Sequence, residues 1–172
     1  MNIVSPLQII AVGVVVERSK SASQWSDILW RPLSVLTGTP VTPPWTKLCE
    51  DGDRATFFAG TATIELHRTE TSNYRSNLVN DEPLLWVVLR PSEAEMPYDL
   101  LTVTADPAEG EAMTEAGNDL VETVPMPKAI QQAVADFVAE HHVEQAFSKR
   151  KRDRADPEAL GRRVPTPDDE QR

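Results

Sequence analysis

The densest set of residues able to do chemistry runs Glu65-Leu66-His67-Arg68-Thr69-Glu70-Thr71-Ser72-Asn73-Tyr74-Arg75. It combines carboxylates, guanidinium groups, a phenol and an imidazole, the side chain whose ordinary pKa lies nearest neutrality. These are the donors, acceptors and base that a polar ligand or an acid–base step requires. The bland alternative is a salt-bridged strand end, with Glu65 and Glu70 balancing Arg68 and Arg75. A second group is aromatic: Trp25, Trp30-Arg31-Pro32 and Trp45 fall within 21 residues of a chain that has four tryptophans. Trp and Arg are favoured at interface hot spots, and Trp is equally at home in a small β-rich core. Arg31, Arg68 and Arg90 could alternatively pair with a phosphate or carboxylate, because a guanidinium offers a bidentate fork that lysine lacks.

Other chemistries find little to work with. A metal site would have to draw on His67, His141, His142 and carboxylates, and adjacent helical positions point about 100° apart, so His141 and His142 do not readily share an ion. Cys49 is the single cysteine; it cannot form an internal disulfide, it fits a reducing compartment, and its setting in Lys47-Leu48-Cys49-Glu50 reads as a buried, inert thiol. The seven glycines are scattered singly, without a phosphate-cradling loop, and no Gly-x-Ser-x-Gly elbow occurs. No catalytic residue, cofactor or metal is therefore assigned.

The elements that must position these residues are mostly short apolar or β-branched runs separated by Pro, Gly, Asn and Asp, the pattern of strands. Strands are expected near Ile9–Arg18, Ile28–Leu36, Thr46–Glu50, Ala55–Gly60, Ala62–Arg68, Leu84–Arg90 and Leu100–Ala105, with a short edge strand at Leu120–Val124. Gly60 reads as the turn of a hairpin, after which a period of two places Ile64 and Leu66 on one face and Glu65 and His67 on the other. Leu84-Leu85-Trp86-Val87-Val88-Leu89 is apolar throughout, as suits a strand covered on both faces. Asp106-Pro107-Ala108-Glu109 carries the capping acceptor, the first-turn proline and the following carboxylate of a helix start, and Gly117 marks its end. A second helix follows Pro125-Met126-Pro127 and runs through His142, with Ile130, Val134, Phe137 and His141 at helical spacing.

Charge is divided unevenly. Residues 1–147 hold nine basic and twenty-one acidic groups, net −12, and residues 148–172 eight and six, net +2. An acidic body repels phosphate backbones, which argues against nucleic acid as the main partner of the folded part. The tail opens with Lys149-Arg150-Lys151-Arg152-Asp153-Arg154 and continues without an aromatic residue, so it is expected to be disordered. The apolar run Ile9–Val16 is shorter than a bilayer crossing needs and lacks the flanks of a secretory leader, which makes the cytoplasm the expected compartment and a membrane partner unexpected.

One resemblance spans nearly the whole body, about residues 8–152. The succession Gly13-Val14-Val15-Val16-Glu17-Arg18, Trp30-Arg31-Pro32, Phe58-Ala59-Gly60, Glu65-Leu66-His67-Arg68 with Glu70 and Tyr74, Val87-Val88-Leu89-Arg90, Val124-Pro125-Met126-Pro127, Asp136-Phe137-Val138 and His141-His142-Val143-Glu144 resembles an uncharacterised proteobacterial domain-of-unknown-function family. Its members tend to be encoded beside molybdenum-dependent formate dehydrogenases and their maturation factors. The resemblance implies an accessory role in assembling such an enzyme, with a formate dehydrogenase subunit or maturation factor as protein partner. It brings no catalytic residues. The expected architecture is one α+β domain over residues 1–147, a mainly antiparallel sheet of about six or seven strands with two C-terminal helices packed on it, and a basic, then mixed-charge tail over 148–172. The expected function is that of a non-catalytic accessory or binding protein meeting its partner through Trp30 and Arg31 or through the strand end around Glu65, His67, Arg68, Glu70 and Tyr74. The rival is a carrier or enzyme for a small pterin-type anion at the same strand end.

Overall fold

The computed structural model describes residues 5–20 and 28–144. By its contacts the chain divides into a unit ending at His142 and another beginning at Val143; the fold described here is that of the first. Trp25 and the tail expected over 148–172 lie outside the described residues.

Seven strands form two antiparallel sheets. In the first, β1 (Gln8–Lys20) and β4 (Arg54–Leu66) are central, with β2 (Ile28–Thr37) on the free side of β1 and β3 (Thr46–Asp51) on that of β4. In the second, β5 (Leu84–Pro91) lies between β6 (Tyr98–Thr104) and β7 (Leu120–Pro125). The single sheet expected from the strand pattern is thus corrected to two, which meet where β6 comes against β4 and β7 against β2. Alternate β1 side chains Val12, Val14 and Val16 enter the common core with Ile64 and Leu66 of β4 and Leu85, Val87 and Leu89 of β5. Each such side chain, fully withdrawn from water, contributes about 1.5–3 kcal/mol before conformational entropy is charged against it.

The expected hairpin at Gly60 is also corrected: residues 54–66 are one continuous strand, paired with β1 from Ser19↔Arg54 to Gln8↔Leu66. Val14 faces Gly60 and Val15 faces Phe58, so Ala59 is the extra residue of a β-bulge. Gly60 takes φ 132°, a conformation closed to side chains with a Cβ, and so bends the strand without ending it.

Three helices complete the described fold, one more than the two expected. The additional one, α1 (Thr71–Leu78), follows a single 3-10 turn at Arg68–Glu70. The two foreseen helices are α2 (Pro107–Glu115), whose first amides are capped by the Asp106 carboxylate, and α3 (Lys128–His141). Gly110 lets α2 lie directly on β5: a Cβ there would stand 2.2 Å from Cγ of Trp86. Ile130, Val134 and Phe137 form the buried stripe of α3, which packs against α1.

Candidate functional site

The residues singled out from the sequence fall into three places. Glu65, His67, Arg68, Glu70 and Tyr74 gather where β4 runs into α1. This segment, expected as a strand end and turn, is a strand end followed by a helix. Trp30 and Arg31 stand on β2, and Arg90 stands on β5.

At the β4–α1 junction most polar groups are spent on structure. Tyr74 is buried; its hydroxyl accepts from the His67 N–H at 3.0 Å and donates to the Glu65 carbonyl at 3.5 Å. Burial pushes the Tyr74 phenol up to about 12, with the Asp106, Glu70 and Glu109 carboxylates adding to the rise and the His67 amide opposing it. Asn77, equally buried, donates to the Leu84 and Ala105 carbonyls and accepts from the Leu84 N–H, tying α1 to the start of β5 and the end of β6. Asn73 bridges Glu70 and the capping carboxylate of Asp106, at 3.0 and 3.3 Å. His67 Nε2 lies 3.5 Å from a Glu65 carboxylate oxygen. Among the described residues the Arg68 guanidinium has no ion-pair partner.

Sequence reading did not assign His142 a role here. Its Nδ1 lies 3.0 Å from Thr71 Oγ1, and its Nε2 lies 3.4 Å from Nη1 of Arg75. A guanidinium can only donate, so Nε2 accepts, the neutral ring carries its proton on Nδ1, and that N–H donates to Thr71, whose hydroxyl donates to the Arg68 carbonyl. The neighbouring His141 instead packs at a tilt on Phe137, 4.6 Å between ring centres; it is the last residue of α3, whereas His142, expected inside the helix, is its extended C-cap, so the two imidazoles diverge. Among the described residues no three His, Cys, Asp or Glu side chains converge as metal ligands.

Arg31 and Arg90 are also engaged. Arg31 faces Glu17 across β1 and β2, and both its Nε and an Nη reach one Glu17 oxygen at 3.0 Å. Glu17 is buried, and a buried carboxylate requires such a partner. Arg90 grips Asp119 with two bonds of 3.1 Å, which holds the Asp119 carboxyl below the usual carboxylate range and raises Arg90. Cys49, expected to be buried, is exposed, because β3 is an edge strand and Cys49 follows a bulge in its pairing with β4.

The third place is aromatic. Trp30 meets Trp45 edge to face at 6.1 Å, Phe57 at 5.5 Å and Tyr98 at 6.5 Å. The Arg18 guanidinium lies 5.8 Å from the Trp30 ring centre and 5.2 Å from that of Phe57. Trp45 follows Pro43-Pro44 and takes φ 64°, the left-handed region that a bulky residue enters at a cost of about 1–3 kcal/mol. Its N–H bonds to the Phe58 carbonyl and so fixes the bend. Beside it opens a cleft of about 360 Å³ lined by Pro44, Trp45, Ala94, Glu95, Met96 and Asp99. The last four come from the β5–β6 connection and the start of β6, about fifty residues away in sequence. Local pattern could not join them to Trp45; a tryptophan after two prolines was the one available signal.

Two packed antiparallel sheets and three helices, with a polar junction tied into the fold and an aromatic cleft beside Trp45, define an α+β protein among the described residues. Residues 11–151 match the family described as Protein of unknown function (DUF3305), and the chain belongs to that family. No curated protein and no solved structure matches it.

Proposed function

We propose that the protein is a non-catalytic accessory protein, acting in the cytoplasm to support maturation or assembly of a formate dehydrogenase-type molybdoenzyme, and that it holds a protein partner through the face around Trp30 and Trp45. The observation that carries binding over catalysis is the contrast between engaged and available groups. The Tyr74 phenol is buried with its pKa raised, Arg31 is spent on Glu17 and Arg90 on Asp119. Trp45 is instead held in a costly backbone conformation at the mouth of a cleft. The molybdoenzyme connection is supported by the resemblance set out above, whose members stand beside formate dehydrogenase genes. Among the described residues no helix is long and apolar enough to cross a membrane.

One observation favours the rival. Arg68 leaves its guanidinium without an ion pair beside His67, as a site for a pterin-type anion would. Affinity capture of the full chain from its own source, grown on formate with molybdate, separates the two readings. The expected result is recovery of a formate dehydrogenase subunit or maturation factor, lost with Trp45→Asn and kept with His67→Ala. Recovery of a bound pterin-type anion without such a protein, abolished by Arg68→Ala, would replace the accessory reading with the carrier.

A further inference from the structure

We propose that the cleft between the Pro44–Trp45 bend and the β5–β6 hairpin is a binding site for a guanidinium group, with Trp45 supplying the aromatic wall and Glu95 and Asp99 the carboxylates. This deepens the accessory reading by naming the chemistry its partner would present, and it rests on that reading only for the choice of face.

The molecule already contains one filled example of the same chemistry. Arg18 lies within 6 Å of the Trp30 and Phe57 ring centres, and its charge helps to lower the pKa of the Glu50 carboxyl after the larger effect of Lys47. A guanidinium on an aromatic face with a carboxylate nearby is stabilised by the ring quadrupole and by Coulomb attraction together. Trp45, edge to face with Trp30, extends the aromatic cluster to the cleft, and Glu95 and Asp99 line that cleft. Among the described residues neither carboxylate has an ion-pair partner.

The cation that could have filled the cleft from within is turned elsewhere. Asp99 faces Arg90 across the β5–β6 pair, but Arg90 is bound through both arms to Asp119 on the opposite side of β5. Glu93 adds a further negative charge on the same connection, in a body that carries net −12 over residues 1–147. The cleft is open and partly apolar, with Met96 and Pro44 on its walls. It therefore suits a planar cation on a methylene stem better than a compact, strongly hydrated ion.

The test is titration of the full chain at low salt, with N-acetyl-arginine amide as probe and its uncharged citrulline counterpart as control. Binding is read from the Trp45 indole N–H and Met96 methyl signals, the former identified with Trp45→Phe. Saturable shifts at both groups are expected in the millimolar range, with little response to citrulline. Glu95→Gln with Asp99→Asn should weaken the binding about three- to tenfold; both side chains are exposed, so these changes leave the fold intact. Absence of saturable shifts, equal shifts with citrulline, or affinity unchanged in the double variant would overturn the proposal. A short arginine-containing peptide binding at least about tenfold more tightly than the blocked amino acid would assign the guanidinium to a polypeptide. Equal affinity would assign it to a small guanidino compound. Because no partner is present in the titration, its failure leaves the capture result standing, and a failed capture leaves the titration standing.

Discussion

The β4–α1 junction and the Trp45 cleft are both rich in side chains that chemistry uses, yet they employ them in opposite ways. At the junction, Tyr74 and Asn77 are buried, and Asn73 and Thr71 bond outward to Asp106 and His142. Polar groups there replace the apolar stripe that ordinarily docks a helix, and each bond is worth most because its neighbours exclude water. At the cleft, carboxylates stand exposed and a tryptophan is kept in a conformation that costs stability. The lesson is that density of polar residues in a sequence does not by itself mark function. A group already paired inside the protein is unavailable, whereas strain and unpaired charge beside an aromatic wall leave something to be offset by a ligand.

The largest expected effect would break the junction. Asn77→Ala removes three bonds, taking their partner from the buried Ala105 carbonyl and from the half-buried Leu84 N–H and carbonyl, a loss of about 3 kcal/mol in equilibrium urea unfolding. Gly110→Ala should follow, since its new methyl would collide with the Trp86 ring. A loss of about 1–3 kcal/mol is expected as α2 is pushed from β5, read as a lowered melting temperature. Unchanged unfolding in Asn77→Ala would mean that the junction's polar groups do not hold the fold, and the contrast with the cleft would fail.

Most of this division was only partly legible in the amino-acid order. Strands built on Val, Ile and Leu runs were readable to within a few residues, and so was α2, because Asp106-Pro107 spells out its cap. Leu66 and Ile64 fell on the buried face and Glu65 on the exposed one, as the period of two requires. Thr71–Leu78 was not readable as a helix. Its buried positions are Thr71, Tyr74 and Asn77, which leave no apolar stripe to detect. Gly60 was misread because an isolated glycine signals a turn and a bulge alike. Cys49 was misread because a strand pattern does not say which strands become edges. The cleft escaped because it is assembled from segments far apart in the chain.

Tyr74→Phe sharpens the comparison at the same hub by pH. With its pKa raised to about 12 in the fold, Tyr74 favours the folded state fully below the ordinary phenol pKa of about 10, and that contribution is lost as pH rises from about 10 to about 12. It amounts to about 3 kcal/mol over that interval. Alkaline unfolding monitored by circular dichroism should therefore be less steep in Tyr74→Phe, which also loses about 1 kcal/mol at neutral pH by leaving the His67 N–H unpaired. On the other side of the comparison, Trp45→Asn should change stability by no more than about 1 kcal/mol, because asparagine tolerates positive φ and the relieved strain offsets the lost ring contacts. A much larger loss would make Trp45 a core residue, and the cleft would then be structural like the junction.

The smallest effect concerns Arg90, which was a candidate binding residue in the sequence and is a paired surface residue in the fold. Removing it should free Asp119 without disturbing either sheet. The Asp119 carboxyl, held low by the two Arg90 bonds, supports the folded state above the ordinary aspartate pKa, and that support disappears as pH falls through the lowered folded value. In Arg90→Ala its titration, followed by the side-chain carbonyl signal in NMR, should move up toward the ordinary aspartate range. The same change exposes Asp99 to one positive charge fewer across the strand pair, so guanidinium binding in the cleft should be unchanged or slightly tighter. Weaker binding would show that Arg90 holds the cleft open, and the boundary between the two kinds of site would have to be redrawn through β5.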